Sequence, residues 1–281
     1  MRRIVCALMI SAAAAAAQAR NLYIPVAGST AGAGGTYFRT DVRIFNPSFT
    51  RDIDVTIHFL PQGQDNSNIS GQVFQVPKRQ MVVLNDIVNS LAGWTPPLVG
   101  ALRIDSDTDA DYNVIVDSRT YTDSPNPAAP GTFGQFIPAL DVNTAARKSV
   151  AVHVANSDGY RANAVLMNPN RVPASVIVSV VLGNGALAAP ETIVTLQPMS
   201  MLLMPVGALA GGRPFDDAFL HFDSNEPIFS GVSVVDNQSS DQFFVPGEED
   251  RDEVKPFAGA FEPGSAYQMP TSQSASTVRV R

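Results

Sequence analysis

The chain has 281 residues, of which 45% are hydrophobic and 16% are charged, and its net charge is −7 at pH 7. A chain this acidic lacks the basic surface that binding to nucleic acid or to an anionic membrane requires. Because Cys6 is its one cysteine, it has no intramolecular disulfide and no cysteine-rich metal site, and its fold must be stabilised by core packing.

The first 19 residues have the pattern of a secretory signal peptide. Arg2 and Arg3 precede an apolar segment too short to span a bilayer, and Ala17 to Ala19 reads A-Q-A, which fits a cleavage site. We therefore expect cleavage after Ala19, which removes two arginines and leaves a net charge of −9. The pattern predicts a secreted or periplasmic protein whose mature chain does not insert into a membrane.

Two distant segments of the chain follow the same pattern. Phe38 to Ser48 reads FRTDVRIFNPS, and Tyr160 to Asn170 reads YRANAVLMNPN. Apolar and polar residues alternate in both, which is typical of a half-buried strand in an antiparallel sheet. Both end at Asn-Pro, where proline lacks the N–H that a strand ladder needs. The glycine-rich Gly28 to Gly35 precedes the first segment and is interpreted as a flexible connection.

Four more segment pairs follow in the same order: VPKRQMVVLND with LQPMSMLLMPV, GALRIDSD with DAFLHFDSN, VIVDSRTY with VSVVDNQS, and GQFIPA with QFFVPG. Five matches in one order predict an internal duplication with copies of domain size. We place the first copy at residues 20–140, a linker at 141–149 and the second copy at 150–247. Residues 248–281, acidic and then rich in Ser and Thr, are expected to be a disordered tail.

Short alternating segments separated by turn-forming residues predict an all-β protein, namely two tandem Ig-like antiparallel β-sandwich domains. Only Ile87 to Leu91 and Val206 to Leu209 are expected to be helical. On the outward face of the repeated strand, the second copy has Val165 where the first has Arg43. This difference indicates either a face covered by the other copy or a local variation.

The segments TYFRTDVRIFNPS, VDSRTYT and GTFGQFIPA resemble a group of exported, uncharacterised bacterial proteins. The similarity extends over most of Tyr23 to Ala139 and, more loosely, over Val150 to Gly247. In that group such segments belong to Ig-like β-sandwich modules, often appended to larger surface proteins. The resemblance implies export and a sandwich fold, but no activity and no catalytic residue.

Four carboxylates alternate along one acidic segment and are candidate calcium ligands: Asp105, Asp107, Asp109 and Asp111. Calcium prefers several oxygen ligands at close range. An EF-hand is excluded because its glycine and glutamate positions hold alanine and valine here. A solvated hairpin turn is the alternative, and no other cofactor is predicted.

Three aromatic residues are candidates for stacking on a sugar ring: Trp94, Tyr112 and Tyr121. The alternative for Trp94 is that it closes one end of a sandwich, because such a large ring is rarely left exposed. The three histidines, His58, His153 and His221, lack the spacing of a metal site and are expected at the surface.

Charged residues shared by the two copies predict equivalent ion pairs. Arg39 and Arg161 occupy the same position in the repeated strand, and Asp117 and Asp236 align in the penultimate one. We expect Arg39 to pair with Asp117, and Arg161 with Asp236, across adjacent strands.

No catalytic set with recognisable flanking residues is found, so the chain is not expected to be an enzyme. The prediction is an exported structural or interaction protein that acts in adhesion, assembly or surface display, with a protein or glycan partner at the cell surface. The alternative is a carbohydrate- or calcium-dependent binding module.

Overall fold

A computed structural model describes residues 20–32, 35–91, 93–107, 113–124, 128 and 130–251. The predicted signal peptide and most of the predicted tail lie outside these residues. The described residues up to Asp250 form one compact unit. None of the helices among them has the length and apolar character needed to cross a membrane.

The first copy contains nine strands and one short helix in its described part: β1 (Arg20–Ala31), β2 (Tyr37–Phe45), β3 (Ile53–Pro61), β4 (Gln72–Val76), β5 (Met81–Leu84), α1 (Ile87–Ser90), β6 (Leu98–Ser106), β7 (Ile115–Asp123), β8 (Thr132–Pro138) and β9 (Leu140–Asp141). A 3-10 helix at Val142–Thr144 leads into the second copy. The second copy contains β10 (Ala146–Asn156), β11 (Tyr160–Asn168), β12 (Ala174–Leu182), β13 (Thr192–Leu196), β14 (Ser200–Pro205), α2 (Val206–Leu209), β15 (Phe215–Asp236), β16 (Gln242–Pro246) and β17 (Glu248–Glu249).

The strands of both copies pair in the same antiparallel order. In the first copy, β4-β3-β6-β1 form one layer, the β6 layer, and β5-β2-β7-β8 form the other, the β7 layer. In the second copy, the β10 layer is β13-β12-β15-β10-β17, and the β11 layer is β14-β11-β15-β16. The two halves of β15 therefore occupy the positions of β6 and β7. The protein is all-β, as the alternation predicted.

Strand β1 links the two layers of the first copy. It pairs with β6 from Arg20 to Ser29 and with β2 from Ser29 to Ala31. The expectation that Gly28 to Gly35 is a flexible connection is therefore wrong for its first four residues. Gly28 lies so close to β6 that an added Cβ would approach the Leu98 carbonyl oxygen to 3.2 Å.

Alternation along the strands determines which side chains enter the core. Val42 and Ile44 of β2 are buried, as are Ile57 and Phe59 of β3, and all belong to one cluster between the layers. Burying a side chain of this size contributes about 1.5–3 kcal/mol. Packing of two such faces stabilises the sandwich without disulfides.

The repeated Asn-Pro motif has a structural role in the first copy. Asn46 is fully buried, and its amide nitrogen donates to the carbonyl oxygens of Val76 (2.9 Å) and Arg51 (3.0 Å). Its Oδ1 accepts a hydrogen bond from the Ser48 N–H at 2.9 Å. The side chain thus connects the end of β2 to the end of β4 and satisfies buried backbone groups.

Asn168 makes the equivalent contacts in the second copy. Its amide donates to the carbonyl oxygens of Val172 (2.8 Å) and Gln197 (3.1 Å), and its Oδ1 accepts from the Asn170 N–H at 2.9 Å. The motif recurs because both copies need the same buried connection between two strand ends.

The two copies pack directly against each other. The outward face of the β11 layer contributes Val165, Met167, Met201 and Phe229 to the apolar cluster of the first copy. β14 packs on β3 and β6 of that copy, and the ring centroids of Phe229 and Tyr23 are 5.4 Å apart. Of the two interpretations of Val165, the covered face is therefore correct. We call this surface the docked face.

Hydrogen bonds surround the docked face. Asn66, which is buried, donates to the carbonyl oxygens of Pro61 (3.0 Å) and Met199 (2.9 Å). The Ser233 hydroxyl donates to Gln135 Oε1 at 2.9 Å. Each bond that crosses between the copies pairs a polar group that packing removes from water, which fixes the position of one copy on the other.

Candidate functional site

The outward face of the β7 layer is the first copy's counterpart of the docked face. No described part of the chain covers it in the same way, since Met81, Ile115 and Phe136 are 56%, 60% and 59% exposed. We call this surface the open face, and its other central residues are Arg39, Asp41, Arg43, Phe45, Val83, Asp117, Arg119 and Tyr121.

Strand register places the members of the open face side by side. Arg43 lies between Val83 of β5 and Asp117 of β7. One row away, Arg119 lies opposite Phe136 of β8. The face therefore combines exposed apolar side chains with arginines and aspartates.

Tyr121 lies at the centre of a cation–π arrangement on the open face. The guanidinium carbons of Arg39 and Arg119 are 5.6 Å and 5.1 Å from its ring centroid. Its hydroxyl donates to Asp41 Oδ1 at 3.5 Å. Desolvation, together with the negative charge of Asp41, raises the pKa of Tyr121. The ring is thus held by two cations and keeps its proton at neutral pH.

The predicted ion pair between Arg39 and Asp117 is wrong. Arg39 lies opposite Tyr121, whereas Asp117 lies opposite Arg43, four residues away along the strand. Arg39 instead forms an ion pair with Asp123. The error has a simple cause, since matched segments identify neighbouring strands but do not reveal their register.

The predicted pair between Arg161 and Asp236 is also wrong. Arg161 Nη1 donates to Asn237 Oδ1 at 2.7 Å. The Asp236 carboxylate instead accepts the N–H groups of Ser239 and Gln238, which lower its pKa. By register, Asn237 is the second copy's counterpart of Asp123. The two arginines therefore do have equivalent partners, but these are Asp123 and Asn237 and not the predicted Asp117 and Asp236.

The acidic segment is described only in part. Asp109, Asp111 and Tyr112 lie outside the described residues, so calcium binding and sugar stacking there stay predictions. Asp107 is exposed, and its carbonyl oxygen accepts from Arg51 Nη2 at 2.6 Å. Within the described ranges, no group of three or more His, Cys, Asp or Glu residues could hold a metal ion.

Asp105 belongs to a partly buried polar network rather than to an open turn. Its Oδ2 lies 3.0 Å from His58 Nε2 and 2.9 Å from Arg103 Nη2. Burial alone would raise the pKa of Asp105, but the hydrogen bond from His58 and the positive charge of Arg103 outweigh it and lower this pKa. His58 was expected at the surface but is buried, and its Nδ1 and Nε2 lie 3.2 Å from the Ile69 carbonyl oxygen and 3.0 Å from Asp105 Oδ2.

Trp94 is half-buried and packs edge-on against Phe59, with ring centroids 5.1 Å apart. It lines a cavity of about 260 Å³ together with Ser70 and Gln72. Trp94 packs on Phe59 of the β6 layer, whereas Tyr121 belongs to the β7 layer. The structure therefore does not bring the candidates Trp94 and Tyr121 onto one face. Trp94 serves at least as a packing residue at one end of the sandwich.

Sequence reasoning missed most of the open face, including Arg119, Met81 and Phe136. A signal for Ile115 was present, because alternation places this apolar residue on the same side as Asp117 and Arg119. Alternation does not show, however, that Met81 and Phe136 of the neighbouring strands lie on the same face, and only such a contiguous group of apolar side chains marks a contact surface.

No family model matches the chain, and no curated protein matches it. Among solved structures, the crystal structure of Thermotoga maritima 1070 is similar over 38% of this chain and 96% of that chain. The sequence identity is 16% and the TM-score is 0.34. A similarity at this level identifies no relative, so function has to be argued from the chain's own geometry.

Proposed function

We propose that the protein is an exported, non-enzymatic interaction protein that acts in adhesion, assembly or surface display. Its open face binds a protein partner at the cell surface. One observation carries the proposal: a sheet face that serves as a docking surface in the second copy is exposed in the first.

The composition of the open face supports this role. Met81, Ile115 and Phe136 expose apolar surface, and arginines surround Tyr121. Tyrosine and arginine are enriched where protein interfaces contribute most of their binding energy. The charged residues that replace the apolar residues of the docked face keep this surface soluble until a partner covers it.

The same proposal includes export of the protein and the assignment of its two copies as Ig-like sandwich modules. The N-terminal pattern supports secretion with cleavage after Ala19, and the repeated strand order supports two Ig-like sandwich modules in the broad architectural sense. N-terminal sequencing of the exported protein should find Arg20 as the first residue.

Site-specific photo-crosslinking in the producing bacterium tests the proposal. A benzophenone amino acid at Ile115 on the open face should yield one discrete adduct with a second protein. The matched control is the same probe at Ile193, a 70% exposed residue on the β10 layer, which should yield none. Equal adducts from both positions, or no adduct from Ile115, would refute the proposal.

The second candidate function is glycan binding, and the Tyr121 arrangement favours it, because the arginines and the Asp41 carboxylate beside the ring can donate to and accept from sugar hydroxyl groups. Glycan-array binding that is lost in Tyr121→Ala, without a protein adduct, would replace the protein partner by a glycan. A higher melting temperature in calcium would support the calcium-dependent form. A screen of polysaccharide hydrolysis tests the expected absence of enzymatic activity.

A further inference from the structure

The interface between the two copies contains a partly open cavity of about 330 Å³ that does not belong to the open face. One wall comes from the first copy, mainly from β1 with single residues of β2, β6, β7 and β8, and the other comes from the β11 layer of the second copy. Ligand sites of about 300–1,000 Å³ occur preferentially at such junctions between domains. The cavity exists because β1 presents small residues, such as Ala27 and Gly28, opposite the larger side chains of the second copy.

The cavity has an apolar end and a cationic end. Val26, Val99 and Leu203 line it, and Leu203 pairs with Val165, which is fully buried in the apolar cluster. Four residues before Val165 along the same strand, Arg161 is half-buried. None of the described residues that line the cavity is acidic, so Arg161 gives it a positive charge.

Polar groups hold the cavity in shape. The Ser233 hydroxyl donates to Gln135 Oε1 at 2.9 Å, and Gln242 Nε2 donates to the Thr120 carbonyl oxygen at 3.1 Å. Both hydrogen bonds join the two copies, and all four residues line the cavity. The walls are therefore preformed, which reduces the entropic cost of binding.

We propose that this cavity binds a small monocarboxylate with an apolar body, such as a medium-chain fatty acid. Arg161 Nη1 donates to Asn237, which leaves Nε and Nη2 for a bidentate contact with the carboxylate. The apolar body extends between β1 and the β11 layer toward Leu203. Because both copies contribute walls, the bound molecule stabilises their docking.

Titration calorimetry with octanoate and with octanol tests this proposal on the full mature chain. We expect octanoate to bind in a 1:1 ratio and to raise the melting temperature, and octanol to bind at least tenfold more weakly. Arg161→Gln should weaken octanoate binding at least tenfold and leave octanol binding unchanged. The matched control, Arg147→Gln, removes an arginine that pairs with Glu226 outside the cavity and should bind octanoate as the wild type does.

A second variant separates loss of the site from loss of the fold. Val235→Trp places a larger side chain in the cavity and should abolish binding of both probes while the circular dichroism spectrum is retained. The proposal is overturned if the wild type does not bind octanoate, if octanol binds equally well, or if Arg161→Gln binds octanoate unchanged. None of these outcomes affects the open-face crosslinking result, so the two proposals fail independently.

Discussion

The open face of the first copy and the docked face of the second are the same sheet surface with different side chains. Register pairs the positions as follows: Arg43 with Val165, Asp117 with Gly231, Arg119 with Ser233, and Tyr121 with Val235. In each pair the first copy has the larger or more polar side chain. Apolar and small residues allow the second copy to pack against its neighbour, whereas charges prevent the first from doing so.

This difference shows that one sheet surface, which occurs twice in the chain, is buried in one place and exposed in the other. One copy of the surface holds the molecule together, because Val165 and Met167 are removed from water there. The other copy of the surface is exposed, and under the proposed function it contacts a partner. The copies share their strand order, and a few outward side chains decide whether the face is covered or exposed.

We expect the largest loss of stability when a residue of the docked face is replaced by its counterpart from the open face. Val165→Arg places an uncompensated charge at a fully buried position, which we expect to reduce the free energy of unfolding by about 3–5 kcal/mol. Urea denaturation of the purified variant measures this loss. The reverse change on the open face, Arg43→Val, should alter stability by less than about 1 kcal/mol. Similar losses in both variants would mean that the two faces do not differ as described.

Substitutions in the two Asn-Pro motifs test whether the buried asparagine contributes equally to the stability of both copies. Asn46→Ala and Asn168→Ala each leave buried backbone carbonyl groups without their donor, and we expect each to cost about 2–4 kcal/mol. Chemical denaturation compares the two variants. Asn85→Ala, at an exposed residue of the first copy, is the control and should cost less than about 1 kcal/mol. A large cost in one copy alone would contradict a shared role.

The network of Asp105 next to the docked face should make stability depend on pH. The folded state lowers the pKa of Asp105 below its ordinary value of 3.8, so its contribution is present at neutral pH and is lost as the pH falls through the lowered value. Asp105→Asn should cost about 1.5 kcal/mol at pH 7, where it removes hydrogen bonds to a charged group. The difference from the wild type should shrink below about pH 4. A difference that is constant from pH 7 to pH 3 would exclude this role of the carboxylate.

Much of the fold could be predicted from the sequence because alternation reports burial directly. The period of two assigned Val42, Ile44, Ile57 and Phe59 to the core, and all four are buried, although His58 and Leu60 on the other side of β3 are buried as well. The 22-residue strand β15 could not be predicted, since Asp223 to Pro227 contains turn-forming residues and yet continues as a strand between the layers. A continuous strand that passes from one layer to the other cannot be told from two strands by its local sequence pattern. Only the strands that pair with each of its halves, here β12 and β11, identify it.

The candidate site was less predictable because it depends on register and on contacts between the copies. Arg39 and Tyr121 were both candidates, for unrelated reasons, and only strand pairing places them next to each other. Matched segments aligned Asp117 with Asp236, but strand register makes Val235 the counterpart of Tyr121, so the true counterpart of Asp236 lies several residues after Asp117. A local alignment does not contain this information.

The smallest expected effect concerns the partners of the two equivalent arginines. Arg39 forms an ion pair with Asp123, whose side chain is 68% exposed, and a double-mutant cycle with Arg39→Met and Asp123→Asn should give a coupling energy of about 0–1 kcal/mol. In the second copy, Arg161 bonds to the neutral side chain of Asn237. Salt screens interactions between exposed charges, so 1 M sodium chloride should reduce the Arg39–Asp123 coupling and leave an Arg161–Asn237 cycle unchanged. Equal salt sensitivity in both cycles would show that the net charge of the chain, and not the partner of each arginine, governs these contacts.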